Sequence, residues 1–508
     1  MHLNGNGNGN GNGNGAAPSG AAPAPDFLPL MGDLSGVPPE YISQISNIKR
    51  LLERWTMDPK YRAAFAEDPA AAIAQLGLPL RPEEIIPLID EEEGRRLTQA
   101  MREGGDEHYP LSTRRYRAFY REKRLHRRDI RKSCQSHDPR LAAWRSRQIQ
   151  RCMGELGLRK ADALVHAPAS FELSKGCTVG CWFCGVAAPK FDHWFPYTDE
   201  NAALWRGTLE VLRDVMGPAI KQGFLYWATD PLDNPDYEHF LADFREITGR
   251  CPQTTTAQGA KDIERTRNLL RLSHSLGSEI DRFSVLTLKI LERIHEGFRP
   301  EEMIRVECVP QNRESSDKYR KANAGRARLK AMARGAEVMP EESSSTIACV
   351  SGFLFNMVER SVQMITPCNA SNRWPLGYWV VARETFDSPE ELREVLDRMI
   401  EEHAHPWLRL TDVPRLRPRL TREHDEGTFS IVSPWLRITF KGQGETGPLL
   451  ERLAEGRHTV EELAVLREQE TGIPLEQTFL LLEDLFRRGL FDEEPHTVVA
   501  LGRELAAV

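Results

Sequence analysis

Cys177, Cys181 and Cys184 stand in the run Cys177-Thr178-Val179-Gly180-Cys181-Trp182-Phe183-Cys184, a C-x3-C-x2-C spacing. One short loop thus delivers three thiolates, with no fourth nearby. Structural zinc wants a closed tetrahedron of four ligands, so the trio is incomplete unless His193 or a distant cysteine joins it. A [4Fe–4S] cluster held by three thiolates keeps one iron open to a substrate or cofactor. The aromatic pair Trp182-Phe183 and the following Gly185 favour the cluster, because an apolar cap shields a redox centre from water. The zinc loop stays open as the alternative.

Such a loop must hang from a rigid scaffold. Between about Ala167 and Asn356, short strand-like runs alternate with amphipathic helical ones, which argues for βα units and a parallel sheet. The expected strands are Ala169–Leu173, Phe224–Thr229, Thr254–Gln258, Arg282–Leu286, Ile304–Val309 and Thr346–Phe355. Helices are expected at Ala202–Met216, Tyr237–Thr248 and Ile263–Leu276. The cysteine loop follows the first strand directly. The fold class read from this is α/β, a partial (β/α)6 barrel with its ligands at the C-terminal strand ends.

C-x3-C-x2-C with Phe183 just before the third cysteine resembles the signature of radical S-adenosylmethionine (SAM) enzymes. The resemblance implies that the open iron chelates SAM, whose reductive cleavage yields a 5′-deoxyadenosyl radical. It also directs attention to the strand ends. After the second strand, Thr229 and Asp230 stand where the superfamily holds the SAM amino group, although the usual glycines are absent here. Either side chain can accept a hydrogen bond from an ammonium. Ser284 or Thr287 is placed for the ribose hydroxyls, and Glu307 is a further polar candidate on an apolar strand.

The chain has 508 residues, of which 40% are hydrophobic and 28% charged, with a net charge of −7. It holds no apolar run of about 18 residues to span a membrane, and its Asn-Gly start is unlike a signal peptide. Nine cysteines at irregular spacing do not form a disulfide framework. A cytoplasmic location is expected. The Asn/Gly then Ala/Pro stretch from Met1 to Pro25 should be disordered, as the core of an unstructured tail over 1–41. Residues 42–160 read as helical, with Ile48, Leu51, Leu52 and Trp55 at helical spacing. The stretch from Trp55 to Leu78 weakly resembles Nif11-like leader segments, with a small helical cap as the alternative. Between Arg114 and Arg151 there are fourteen Arg/Lys against three acidic residues, a solvated face or a hold for an acidic peptide. Nucleic acid and membranes are not expected partners.

The other cysteines, Cys134, Cys152, Cys251, Cys308, Cys349 and Cys368, are scattered singly, so no auxiliary-cluster domain is expected. The stretch from Thr366 to Trp379, with the core from Phe171, resembles radical SAM peptide epimerases of proteusin-type RiPP (ribosomally made, post-translationally modified peptide) maturation. That resemblance implies conversion of L- to D-residues by removal of the Cα hydrogen and return of hydrogen from a thiol. Cys368 matches the motif carrying the donor; Cys349 is the second choice. A small buried hydrophobe is the alternative role for Cys368.

The barrel and its Cys368 loop are expected over 161–380, with a connecting strand and helix region over 381–430. Within that stretch, a strand at Tyr378–Arg383 leads to a helix Pro389–His403, N-capped by Ser388. Residues 431–508, with a strand at Trp435–Phe440 and helices at Gly447–Ala454, Thr459–Thr471 and Leu475–Arg487, resemble PqqD-like winged-helix modules. Those bind a precursor leader by adding it as a strand. A purely structural or DNA-binding winged helix remains open. The partners implied are a ribosomal precursor peptide and an external electron donor such as flavodoxin or ferredoxin. Thioether or C–C crosslinking, and a non-catalytic zinc-loop protein, are the alternative functions.

Overall fold

The structure is a computed structural model describing residues 26–133, 135–161, 163–315, 322–335, 346–425, 428–441 and 446–496. The expected disorder of Met1–Pro25, and Cys134, lie outside the described residues. Twelve strands form four small sheets among those residues. In chain order they are β1 (Ala167–Glu172), β2 (Ser174–Lys175), β3 (His193–Trp194), β4 (Thr255–Thr256), β5 (Asp281–Val285) and β6 (Val306–Pro310). Then come β7 (Val350–Asn356), β8 (Ser361–Pro367), β9 (Tyr378–Thr385), β10 (Thr421–Asp425), β11 (Thr428–Ser433) and β12 (Leu436–Lys441).

The fold is mixed α/β. β1 is buried along its whole length, as the continuous apolar run of a central parallel strand requires. It pairs in parallel with β7, and β8 and β9 extend the sheet antiparallel, in the order β1-β7-β8-β9. One face carries Ala169, Phe171, Phe353 and Phe355 against helices Asp199–Met216, Tyr237–Thr248 and Pro389–His403. Thr198 and Ser388 cap the first and last of these by accepting from the Asn201 and Glu391 N–H groups. The other face, with Ala167, Val350, Leu354 and Ile365, carries the cysteine loop.

The six-unit barrel expected from the strand count does not emerge from the described residues. β4, β5 and β6 make a separate three-stranded parallel sheet. The expected second strand, Phe224–Thr229, touches β1 through a single parallel bridge, Ser170 to Phe224. Side chains of β1 take its backbone groups instead, Ser170 Oγ donating to Tyr226 O at 2.6 Å and Glu172 accepting from Ala228 N–H at 2.9 Å. Asp230 turns its carboxylate onto the Ala257 N–H and the Thr256 hydroxyl, both at 2.7 Å, and onto the Leu232 N–H. A side chain that binds neighbouring backbone replaces ladder hydrogen bonds and shortens both strands. The expected sixth strand, Thr346–Phe355, begins at Val350 and lies beside β1, not β6.

The N-terminal helices include Pro39–Met57, whose Tyr41, Ile45, Ile48 and Leu51 are buried. The packed part starts earlier than the expected tail allows. Leu30 and Met31 are buried beside Phe119, and their N–H groups donate to the Glu122 carboxylate. At the other end, β10-β11-β12 form an antiparallel sheet against helices Gly447–Glu455, Val460–Thr471 and Leu475–Arg487. This unit is docked on helix Pro139–Leu156, where Arg147, 2% exposed, binds both Glu493 oxygens at 2.7 and 2.8 Å. No helix among the described residues is long and apolar enough to cross a membrane.

Candidate functional site

The cysteine loop leaves β1 through the short β2–β3 hairpin. Its backbone is clamped at both ends. Cys177 N–H donates to Pro189 O at 3.0 Å across a tight approach at Gly176, whose φ is 81°. A Cβ there would lie 2.3 Å from Lys190 O, so only glycine fits. At the far end, Arg326 N–H donates to Cys184 O at 2.8 Å, and its guanidinium reaches Cys181 O and Ala188 O. Gly325, at φ 61°, lets the two segments touch; a Cβ there would lie 2.2 Å from Cys184 O.

The sulfurs sit in a prepared setting. Val179 N–H points at Cys177 Sγ at 3.4 Å, and Ala188 N–H at Cys184 Sγ at 3.3 Å. Thr178 N–H donates to Asp233 at 2.9 Å, and Gln258 holds the same carboxylate at 2.7 Å. Burial pushes the Cys177 thiol up to about 12, with Asp230 and Asp233 adding to it, and the Cys181 thiol up to about 11. Burial likewise raises Asp230 to about 6. Among the described residues no three His, Cys, Asp or Glu side chains converge closely enough to hold a metal ion. The donor set therefore suits a thiolate-bound cluster in kind and in its N–H···S donors, and holding one requires the sulfurs to draw together.

The other expected residues fall in different places. Phe183 packs edge-on against Trp182 at 5.4 Å, but Trp182 is 44% exposed and not the buried cap expected. Thr229 Oγ1 and Trp227 Nε1 are buried without a hydrogen-bond partner among the described residues. Asp230, by contrast, is already engaged with Thr256, Ala257 and Leu232. Ser284 lies within β5, opposite Val309, and Glu307 on β6 is paired with Arg282 and Lys123 at 3.3 and 3.4 Å. Thr287 N-caps helix Leu288–Gly297. His193 is exposed on β3, beside Asp192 at 3.2 Å.

Cys368, 1% exposed just past β8, belongs to the apolar cluster that Cys177, Cys184 and Cys349 border. Burial holds its thiol well above the usual range. Cys152 donates to the preceding carbonyl, Pro367 O, at 3.2 Å, and the Arg151 guanidinium lies 3.7 Å over the Trp379 ring. A cavity of about 270 Å3 adjoins this loop, bounded by Glu155, Trp374, Trp379, Arg417 and Trp435. Three residues at the site escaped the sequence reading: Arg326, Asp233 and Glu172. Glu172 ends β1, buried, and binds Ala228 N–H and Asn356 Nδ2 at 2.9 and 2.8 Å. A lone acid closing an apolar strand was a readable signal for it; Arg326 offered none.

Comparison places the chain among known proteins. It is 39% identical over 468 residues, 90% of this chain and 89% of the other, to "Uncharacterized protein y4wI" of Sinorhizobium fredii (strain NBRC 101917 / NGR234). The chain belongs to the y4wI family. No family model matches it. A solved structure, BtrN in complex with AdoMet and 2-DOIA, aligns over 39% of this chain and 71% of that one. Its TM-score of 0.27 and 14% identity are too low to carry an argument.

Proposed function

We propose that this protein is a radical SAM enzyme that converts L-residues of a ribosomally made precursor peptide to D-residues. The observation that carries the reading is the placement of Cys368, a buried thiol in the apolar cluster bordered by Cys177 and Cys184. In this reading Cys177, Cys181 and Cys184 hold one [4Fe–4S] cluster, which with SAM supplies the radical that removes a Cα hydrogen. The orphaned Thr229 hydroxyl offers an acceptor for the SAM ammonium, and Asp230 beside it would serve only by turning from Thr256 and Ala257. Phe183 flanks the loop, and Ser284 and Glu307 are the more remote cofactor candidates.

The chain's own contribution is the return of hydrogen. Only the protonated thiol can give up a hydrogen atom, and burial keeps Cys368 protonated far above neutral pH. Hydrogen delivered to the opposite face of the peptide centre inverts it. Among the described residues, the C-terminal module presents β10 as a sheet edge with a ladder partner on one side only, a geometry suited to taking a leader as an added strand. A flavodoxin- or ferredoxin-type donor in the cytoplasm supplies two electrons per inversion, one for SAM cleavage and one that, with a proton, returns the Cys368 thiyl left by hydrogen transfer to the thiol.

The test is incubation in heavy water with a precursor peptide encoded beside this gene. Epimerisation adds one deuterium at each inverted Cα and no other mass change. Cys368→Ala should still cleave SAM yet yield little D-residue. SAM cleavage with loss of two hydrogens from the peptide would instead establish crosslinking, and full epimerisation by Cys368→Ala would remove that thiol from the mechanism.

A further inference from the structure

We infer that the end of the core where the parallel strands begin carries a second peptide-binding site, selective for segments that alternate acidic and apolar residues. This rests on the reading of a peptide as the substrate. A cavity of about 540 Å3 opens there, bounded by the residues that lead into β1, β4, β5 and β7. Its size is that of a ligand site.

The rim is cationic. Among the described residues, Arg124, Arg128, Lys160, Lys221, Arg250 and Arg282 line it, against the single acid Glu279. Glu279 is already shared between Arg250, at 2.7 Å, and His126, and Arg282 is paired with Glu307. Among the described residues, Arg124, Arg128, Lys160 and Lys221 have no carboxylate partner. Lys160 is sunk far enough that burial lowers its affinity for its proton. A row of exposed cations on a convex face would be ordinary solvated surface. Here they ring a concave opening, so their fields add on whatever enters it.

The floor is apolar, formed by Val165, Phe224, Ile280 and Ile347. Ile347 is 48% exposed yet packs on Gly185, where a Cβ would lie 2.5 Å from its Cγ1. Ile347 thus separates the cavity from Gly185, the residue that follows the third cysteine. A ligand satisfying both parts carries carboxylates and apolar groups in alternation. Nucleic acid fits less well. Phe224 and Tyr226, the phenyl rings among the described lining residues, stack on each other at 4.6 Å, so neither offers both faces to a base.

The experiment uses the full-length protein without iron, SAM or reductant. A labelled octapeptide alternating Glu and Leu, and its Lys/Leu counterpart, are titrated by fluorescence anisotropy at about 50 and about 500 mM salt. The acidic peptide is expected to bind, to weaken at least about tenfold in high salt, and to outbind the basic one. Lys221→Glu and Arg128→Glu alter exposed side chains and should each weaken it about three- to tenfold, with unchanged melting temperatures. Lys160→Gln probes the sunken position. Equal binding by wild type and both charge reversals would overturn the inference. So would an oligonucleotide of equal charge binding more tightly and being lost in the same variants. SAM cleavage measured separately keeps the two proposals apart, since neither exposed lysine nor arginine belongs to the cofactor site.

Discussion

Replacing Arg326 by alanine isolates the clamp on the cysteine loop. Its guanidinium reaches Cys181 O and Ala188 O, while its backbone N–H, which the substitution leaves in place, holds Cys184 O. A hydrogen bond from a charged donor contributes about 1.5–3 kcal/mol. Two such bonds are lost, but Cys181 is only half-buried and water recovers part of the deficit. The closed loop should therefore lose about 2–4 kcal/mol relative to its open forms, which is some thirty- to a thousandfold in the closing equilibrium. Because the opening is local, global stability should fall less than the loop does. Hydrogen exchange at the Cys177 and Cys184 amides reads this without any metal, and both should exchange faster in Arg326→Ala. Iron retained after anaerobic reconstitution should drop in parallel. Arg326→Lys should rescue only part, since one ammonium nitrogen cannot stand where both Nη1 and Nη2 do. Unchanged exchange at both amides in Arg326→Ala would refute the clamp.

Other perturbations test neighbouring parts. Gly325→Ala forces a side chain into a left-handed backbone against Cys184 O; a loss above about 2 kcal/mol in denaturant melts is expected, and a neutral result would mean the contact is not close. Glu493→Ala strands the buried Arg147, so it should cost about 2–4 kcal/mol and expose the segment before β10 to limited proteolysis. A digestion pattern like wild type would show that the pair does not dock the module. Glu53 supplies a pH signature. Burial pushes its carboxyl up, but Lys49 and His295 outweigh burial and hold it at about 2, against 4.5 in the unfolded chain. Its contribution, at most about 3 kcal/mol, is complete above pH 4.5 and vanishes as pH falls towards 2. Urea melts of Glu53→Gln should lose this acid limb between those pH values; a slope identical to wild type would contradict the ion-pair assignment.

What the sequence made legible was local. Helices Tyr237–Thr248 and Pro389–His403 begin and end where periodicity and capping residues place them, because those signals act within one turn. The C-x3-C-x2-C spacing announced its loop for the same reason. Strand pairing was not legible. The expected sixth strand lies beside β1, a choice made by long-range packing between residues such as Phe171 and Phe355, whose rings stack at 5.0 Å. Nor could spacing show that Asp230 would spend its carboxylate on Thr256 and Ala257. Arg326 closes the cysteine loop from far along the chain, and nothing in its neighbours' types marks it.

The central claim is tested most directly by anaerobic reconstitution with iron and sulfide, followed by reduction with SAM and quantification of 5′-deoxyadenosine. Wild type should turn brown, carry about four irons per chain and release 5′-deoxyadenosine. A variant with Cys177, Cys181 and Cys184 all changed to alanine should do none of these. Wild type that stays colourless, binds one zinc and leaves SAM intact would contradict the proposal.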